Sequence, residues 1–281
     1  MPEIIVQPPA GECIHLDEAK LHLRVTETSQ DLLIKGLLSG ARQAAETKTR
    51  QQLLHAQWKL VLDKFPMAGS GTPLPFSDTV NIPGYAVRLP HAPVVNVVSI
   101  KYLDMGEIQQ TMDPADYTTN TAMMPGIISP RFGRIWPIAL PQIGAIEIVY
   151  NAGYASPFKR NANNIVVIGP VTWAVGAIVQ FYASGGTLPT PLQELTNYKI
   201  ASALNGTYAI TDMNDVPIAL TDAGTGSSFI GVVPEGLRNW IKIRMASLYE
   251  NREEVAILNR GSIQELPFID GLLDPYRISL P

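Results

Sequence analysis

The chain has 281 residues, of which 46% are hydrophobic, enough to bury one large core or two small ones. Charged residues make up only 16%, against about 25% in an average soluble protein, and the net charge is −4. That balance excludes a strongly basic nucleic-acid-binding face, and a single cysteine, Cys13, excludes a disulfide framework or a zinc site built on several thiolates.

The first residues carry no basic segment followed by a long apolar run, so no signal peptide is expected. No stretch reaches the roughly 18 apolar residues of a membrane span, so no membrane partner is expected. A reducing cytoplasm suits such a chain. The 23 prolines and 22 glycines predict many turns and short strands.

Residues 1–14, with Ile4, Ile5, Val6, Pro8 and Pro9, read as an extended N-terminal arm. Leu16 to Val25 reads as a short helix with Asp17 and Glu18 in its first turn, where acidic charge complements the helix dipole. Ser29 is expected to cap a longer helix from Gln30 to about Gln52. Its buried face would hold Leu33, Ile34, Leu37, Leu38, Ala41, Ala44 and Ala45. Gly36 and Gly40 add a small-residue side that would let another helix approach.

From Leu53 the apolar period changes from 3.6 to 2. Gln57–Asp63 reads as a strand. Residues 66–90 read as a long loop with a brief strand at Tyr85–Leu89. Val94–Leu103 and Glu107–Asp113 form a hairpin around the Asp104-Met-Gly106 turn. Tyr117–Thr121, Gly126–Ser129 and Ala145–Tyr150 are further strands.

After Asn151-Ala-Gly-Tyr154 the chain holds short β runs: Asn164–Ile168, Ile178–Tyr182, Asn197–Ala203, Thr207–Ile210, Ile218–Thr221 and Ser227–Val233. Val175-Gly176 marks a turn, and Asn205-Gly206 is a strong hairpin signal. These residues read as an inserted all-β module, 157–232, whose two ends must lie close together. Pro234–Glu254 then reads as a helix opened by proline. Leu237, Trp240, Ile241, Met245, Leu248 and Tyr249 recur on it at three and four. Arg238, Lys242, Arg244 and Arg252 fall mostly off that stripe. Leu258–Ser262 reads as a turn, and the tail beyond it is too irregular to fold alone.

The fold class expected is α+β: a small core of two to three helices with an antiparallel β-hairpin sheet, plus the inserted module. The domains expected are the arm 1–14, a core of 15–156 and 233–262, the module 157–232 and a C-terminal tail 263–281.

Residues that could carry chemistry are scattered. His15, His22, His55 and His91 form no metal-ligand motif. Asp17-Glu18 and Glu253-Glu254 are adjacent pairs, which point apart on a helix. Gly224-Thr-Gly-Ser-Ser228 and Gly69-Ser-Gly71 lack the lysine and the following helix of a phosphate loop. No Gly-x-Ser-x-Gly elbow occurs, and Cys13 has no catalytic partner motif. No catalytic residue, cofactor or metal site is expected, and the chain reads as a non-enzyme. Trp173, Tyr182, Tyr198 and Tyr208 have the character of a sugar-stacking platform, but a place in the core explains them more simply.

Several motifs in order resemble the head–tail connector, or adaptor, proteins of tailed bacteriophages. They are Leu16-Asp-Glu-Ala-Lys-Leu-His-Leu-Arg-Val25, Gln57-Trp-Lys-Leu-Val-Leu-Asp63 with Phe65-Pro66, Val98-Ser-Ile-Lys-Tyr102, Leu103–Gln110 and Asp113-Pro-Ala-Asp-Tyr117. Val149-Tyr-Asn-Ala-Gly-Tyr154, Leu248-Tyr-Glu-Asn-Arg-Glu253 and Leu272-Leu-Asp-Pro-Tyr-Arg277 complete the series. The resemblance spans 15–155 and 233–278 and is interrupted by the β module.

It implies a structural virion protein: a homo-oligomeric ring of twelve copies under the portal, joining capsid to tail and continuing the DNA channel. The implied partners are the portal protein, a stopper or tail-completion protein, and double-stranded DNA that passes without specific binding. The implied location is the head–tail junction, after synthesis in the host bacterial cytoplasm. The tail would dock on the portal through Leu266, Phe268, Leu272, Leu273, Pro275, Tyr276 and Arg277. A ring needs two different faces on each copy. Arg42, Glu46, Arg50, Arg252 and Glu253 are candidate subunit contacts, with the loop 66–90. The alternatives are a stopper or tail-completion protein of the same neck, or a capsid- or carbohydrate-binding module in 157–232.

Overall fold

The computed structural model describes residues 3–9, 12–14, 16–66, 84–168, 173–184, 186–194, 196–231, 233–251 and 270–278. Two compact units emerge: Met1–Pro9, His55–Gly153 and Ile278–Pro281 form one, and Ala10–Leu54 with Tyr154–Arg277 the other.

The first unit is built on an antiparallel sheet of five strands in the order β1-β2-β8-β4-β5. These are β1 (Glu3–Gln7), β2 (Ala56–Leu62), β4 (Val94–Leu103), β5 (Gln109–Thr111) and β8 (Ile146–Ala152). A smaller sheet, β3-β7-β6, joins β3 (Val87–Leu89), β7 (Gly126–Pro130) and β6 (Tyr117–Asn120). The central β8 buries Ile146, Ile148, Tyr150, Asn151 and Ala152, and it lies between β2, paired without interruption, and β4, whose register shifts between Val94 and Asn96 and between Val97 and Ser99. The core gathers Leu60, Phe65, Leu89, Ile100, Ile128 and Trp136 around it. Burial of such side chains stabilises by about 1.5–3 kcal/mol each. Residues 3–7, read as part of an arm, are instead an edge strand paired to β2. That pairing joins segments some fifty positions apart and leaves no local signal.

The second unit packs three helices and a second sheet. The helices are α1 (Leu16–Leu23), α2 (Asp31–Thr49) and α3 (Glu235–Glu250). The expected stripe on α3 holds: Leu237, Trp240, Ile241 and Met245 are buried, with Tyr249 partly so. On α2 the buried residues are Ile34, Leu38, Ala41, Arg42, Ala45 and Thr49, whereas Leu33 is exposed. Two further expectations fail on α2. Ser29 does not cap it: the N-cap is Gln30, without a side-chain bond, and the Ser29 hydroxyl donates to Glu27 instead, 3.3 Å. Gly36 and Gly40 admit no close helix; a Cβ at either would meet nothing within 4 Å.

The second sheet runs β11-β13-β14-β10-β9-β16-β12, with β15 against β14. Its strands are β9 (Ala155–Asn161), β10 (Asn164–Val167), β11 (Ile178–Val179), β12 (Phe181–Ser184), β13 (Tyr198–Leu204), β14 (Thr207–Thr211), β15 (Pro217–Ile218) and β16 (Ser227–Gly231). The β13–β14 hairpin turns at Asn205 and Gly206, with φ of 49° and 77°, the two positive values of a type I′ turn. The first and last strands are neighbours: Ala155 pairs with Gly231 and Phe158 with Ser228. The chain therefore enters and leaves this sheet at one place. Gly231 stands there at φ 131°, and a Cβ would collide with the Tyr154 carbonyl. By contacts, the helices go with these later strands rather than with the first sheet, because Ala155, Phe229 and Val233 sit in the helical core. The architecture is α+β, with helices beside antiparallel sheets.

Candidate interaction surfaces

Charges tie the helices together. Glu18 on α1 accepts from Arg238 at 2.7 Å and Lys242 at 3.0 Å, both on α3. Lys20 reaches Asp31 on α2 at 2.8 Å. Arg238, expected off the buried stripe, is buried, with the half-buried Glu18 and the exposed Glu235 as its ion-pair partners.

Arg42 holds a second cluster. Its Nε donates to Glu12 at 2.7 Å, and its Nη1 to Glu46 at 2.7 Å. Glu46 also accepts from the Gln52 amide at 2.8 Å and the Leu53 N–H at 3.1 Å. Burial holds the Glu46 carboxyl above its ordinary pKa, against the opposing charge of Arg42. Of the suggested subunit contacts, Arg42 and Glu46 thus form an internal network. Arg50 is exposed at the left-handed C-cap of α2. Arg252 and Glu253 lie outside the described residues. Beside Arg42, burial first and then Glu12 push the Cys13 thiol up to about 12, so it is not a reactive thiolate.

The described part of the tail lies on its own helices. Leu273 is fully buried in the helical core, with Leu272 and Tyr276 partly buried against it. Asp270 accepts from Lys48 at 2.6 Å and from the Trp240 indole at 3.2 Å. Those bonds, Lys48 first, hold its carboxyl below the ordinary range. Pro275 and Arg277 face solvent, and Arg277 pairs with Asp274 at 3.1 Å. Leu266 and Phe268 lie outside the described residues, as does most of the loop 66–90.

The aromatic residues of the second sheet make no open platform. Tyr198 and Tyr208 are core residues, Trp173 packs against that core, and Tyr182 stacks on Phe229 with its hydroxyl buried. Among the histidines, His91 stacks on Trp58 with ring centroids 3.7 Å apart. His55 is half-buried, His22 is exposed and His15 lies outside the described residues. Among the described residues no group of three or more His, Cys, Asp or Glu is placed to hold a metal. No described helix is long and apolar enough to cross a membrane.

The first unit carries one stretch dense in exposed apolar side chains. The segment between β7 and β8 carries Phe132, Ile135, Ile138 and Ile143, all strongly exposed. It is nonetheless fixed: Trp136 stacks on Phe65 at 4.6 Å and donates to the Tyr85 carbonyl at 2.6 Å. Arg131 N–H donates to Asp116 and Leu140 N–H to Leu103. No motif in the sequence announced this surface; its signal was four apolar residues in a stretch rich in Pro and Gly.

Residues 13–128 match the family model of phage gp6-like head-tail connector proteins. Over those residues the connector resemblance read from the motifs is shown. The matched segment begins at the buried Cys13 and carries α1, α2 and strands β2 to β6. No curated protein matches. Among solved structures, a chain from the neck of an empty gene transfer agent particle, computed with C6 symmetry, is similar at 15% identity and a TM-score of 0.55. A chain from the virion of a native gene transfer agent particle follows at 16% and 0.54. A chain from the neck of the native particle, computed with C12 symmetry, follows at 15% and 0.51. Each likeness covers 100% of this chain and 97% of the other. The whole chain, later strands included, therefore shares its fold with those chains.

Proposed function

We propose that this chain is a structural, non-enzymatic virion protein of the neck, forming a ring adaptor under the portal that joins capsid to tail and continues the DNA channel. The match of residues 13–128 to the connector family carries the reading. The shared fold with neck chains of gene transfer agent particles supports it, and the C6 and C12 symmetries of those necks accord with a ring of twelve copies. A net charge of −4 suits a wall past which DNA slides without being gripped. The residues left for the portal are Pro275 and Arg277 at the exposed edge of the tail, with Leu266 and Phe268. Arg50, Arg252 and Glu253 are the subunit contacts left from the sequence reading, and 157–232 is an insertion in the connector core.

The test is particle assembly without the chain. Heads and tails should accumulate unjoined, and joining should return when the chain is supplied in trans. Complete tailed particles in its absence would sink the reading. Crosslinking to tail components but never to the portal would favour a stopper or tail-completion protein instead.

A further inference from the structure

Three segments distant in the chain meet beside Cys13: the turn before α1, strand β12 and the first turn of α3. Between them lies a cavity of about 20 Å³, walled by Cys13, Gln180, Phe181, Tyr182, Gly231, Val233 and Arg238. One water needs about 10–15 Å³, so the space suits a single small molecule. Two of these residues carry a buried polar atom without a hydrogen-bond partner among the described residues: the Tyr182 hydroxyl and Arg238 Nε. Neither group is free to turn elsewhere. Tyr182 stacks on Phe229 with ring centroids 5.1 Å apart. Arg238 is only 7% exposed, and its Nη1 and Nη2 donate to Glu235 at 3.2 Å and to Glu18 at 2.7 Å. Buried polar groups in native proteins find partners, and the cavity is where these two can find one.

We infer that the cavity is a binding site for one water molecule, which accepts from Arg238 Nε–H and from the Tyr182 hydroxyl and donates to the Cys13 sulfur. Three bonds are usual for a buried water, and a thiol sulfur is a weak acceptor. Gln180 is engaged elsewhere: its amide donates to Asn197 at 2.8 Å, and its carbonyl accepts from the Gly231 N–H at 3.0 Å. Charge selects a neutral molecule over an anion. Arg238 and Lys242 already face Glu18 and Glu235, two charges against two. Cys13 also feels Glu12 and Glu46 against the single Arg42, so the surroundings lean negative. The water thus fastens the turn before α1 and strand β12 of the second sheet to helix α3. The inference does not depend on the proposed neck function.

The test uses the full chain. A high-resolution crystal structure should show one isolated density peak within about 3.2 Å of both Tyr182 Oη and Arg238 Nε. A cavity free of density would overturn the inference. So would an anomalous peak there in crystals soaked with bromide, which would show an anion. Tyr182→Phe gives a second, independent readout, because it removes the hydroxyl and keeps the ring on Phe229. With a water bound, the melting temperature should fall by about 2–4 °C, the shift expected for one lost hydrogen bond in a chain of this size. A hydroxyl without a partner would instead be removed at no loss, so an unchanged or raised melting temperature would also overturn the inference.

Discussion

The ring of Tyr276 lies against the α-carbon of Gly236. A Cβ built on that glycine would stand 2.9 Å from Cε2 and 3.1 Å from the hydroxyl oxygen of Tyr276. One glycine in the first turn of α3 thus makes room for the C-terminal segment. Gly236→Ala should raise helix propensity by at most about 1 kcal/mol while turning the tyrosine away. The melting temperature should therefore move little, while amide-exchange protection of residues 270–277 falls. Unchanged protection there would show that the ring is not seated on the glycine. Removing residues 265–281 outright would be a blunter test, because Leu273 belongs to the helical core.

The buried Arg42 neutralises the partly buried Glu12 and Glu46. Arg42→Ala should cost about 3–5 kcal/mol, because two part-buried carboxylates lose the charge that offsets their burial. Urea unfolding checks this; a loss below about 1 kcal/mol would mean that the cluster opens to solvent. The same cluster has a pH signature. The Glu46 carboxyl, raised by burial above its usual 4.5, takes a proton more readily in the folded chain. Its contribution to stability is complete below 4.5 and is lost as the pH rises through the raised folded value. Relative to Glu46→Gln, the wild type should gain stability as the pH falls toward 4.5.

Gly206 and Gly231 both have positive φ but differ in surroundings. At Gly206, φ 77°, a Cβ meets nothing within 4 Å. Gly206→Ala should cost only the conformational strain, about 1 kcal/mol. At Gly231 the side chain would also strike the backbone of Tyr154 and Ala155. Gly231→Ala should cost on the order of 3 kcal/mol, as strain and overpacking add. Thermal unfolding of the two variants side by side tests the order; equal losses would refute it.

Elements with a local signal were legible in the sequence. The spacing of Leu237, Trp240, Ile241 and Met245 fixed both the helix and its buried face, and Asn205-Gly206 fixed a hairpin. What escaped depends on partners distant in sequence. Arg238 looks solvated until Glu18, 220 positions earlier, is placed beside it. Strand β9 hides because Pro157, Lys159 and Arg160 break its apolar pattern, and only its neighbours β10 and β16 make it a strand. Leu273 reads as a docking residue because its own segment has too little apolar surface to fold, and the α-helices that cover it lie elsewhere in the chain. The exposed Ile135 and Ile138 had no pattern at all.

The pairing of Ala155 with Gly231 also sets how the second sheet would respond to force. Tension on the chain on either side of it would reach the paired ends of β9 and β16 together. The load would run along their hydrogen bonds, which cross an antiparallel pair at right angles, and would part them one after another. The sheet would open like a zipper from Gly231 inward, at a lower force than strands pulled past each other along their length.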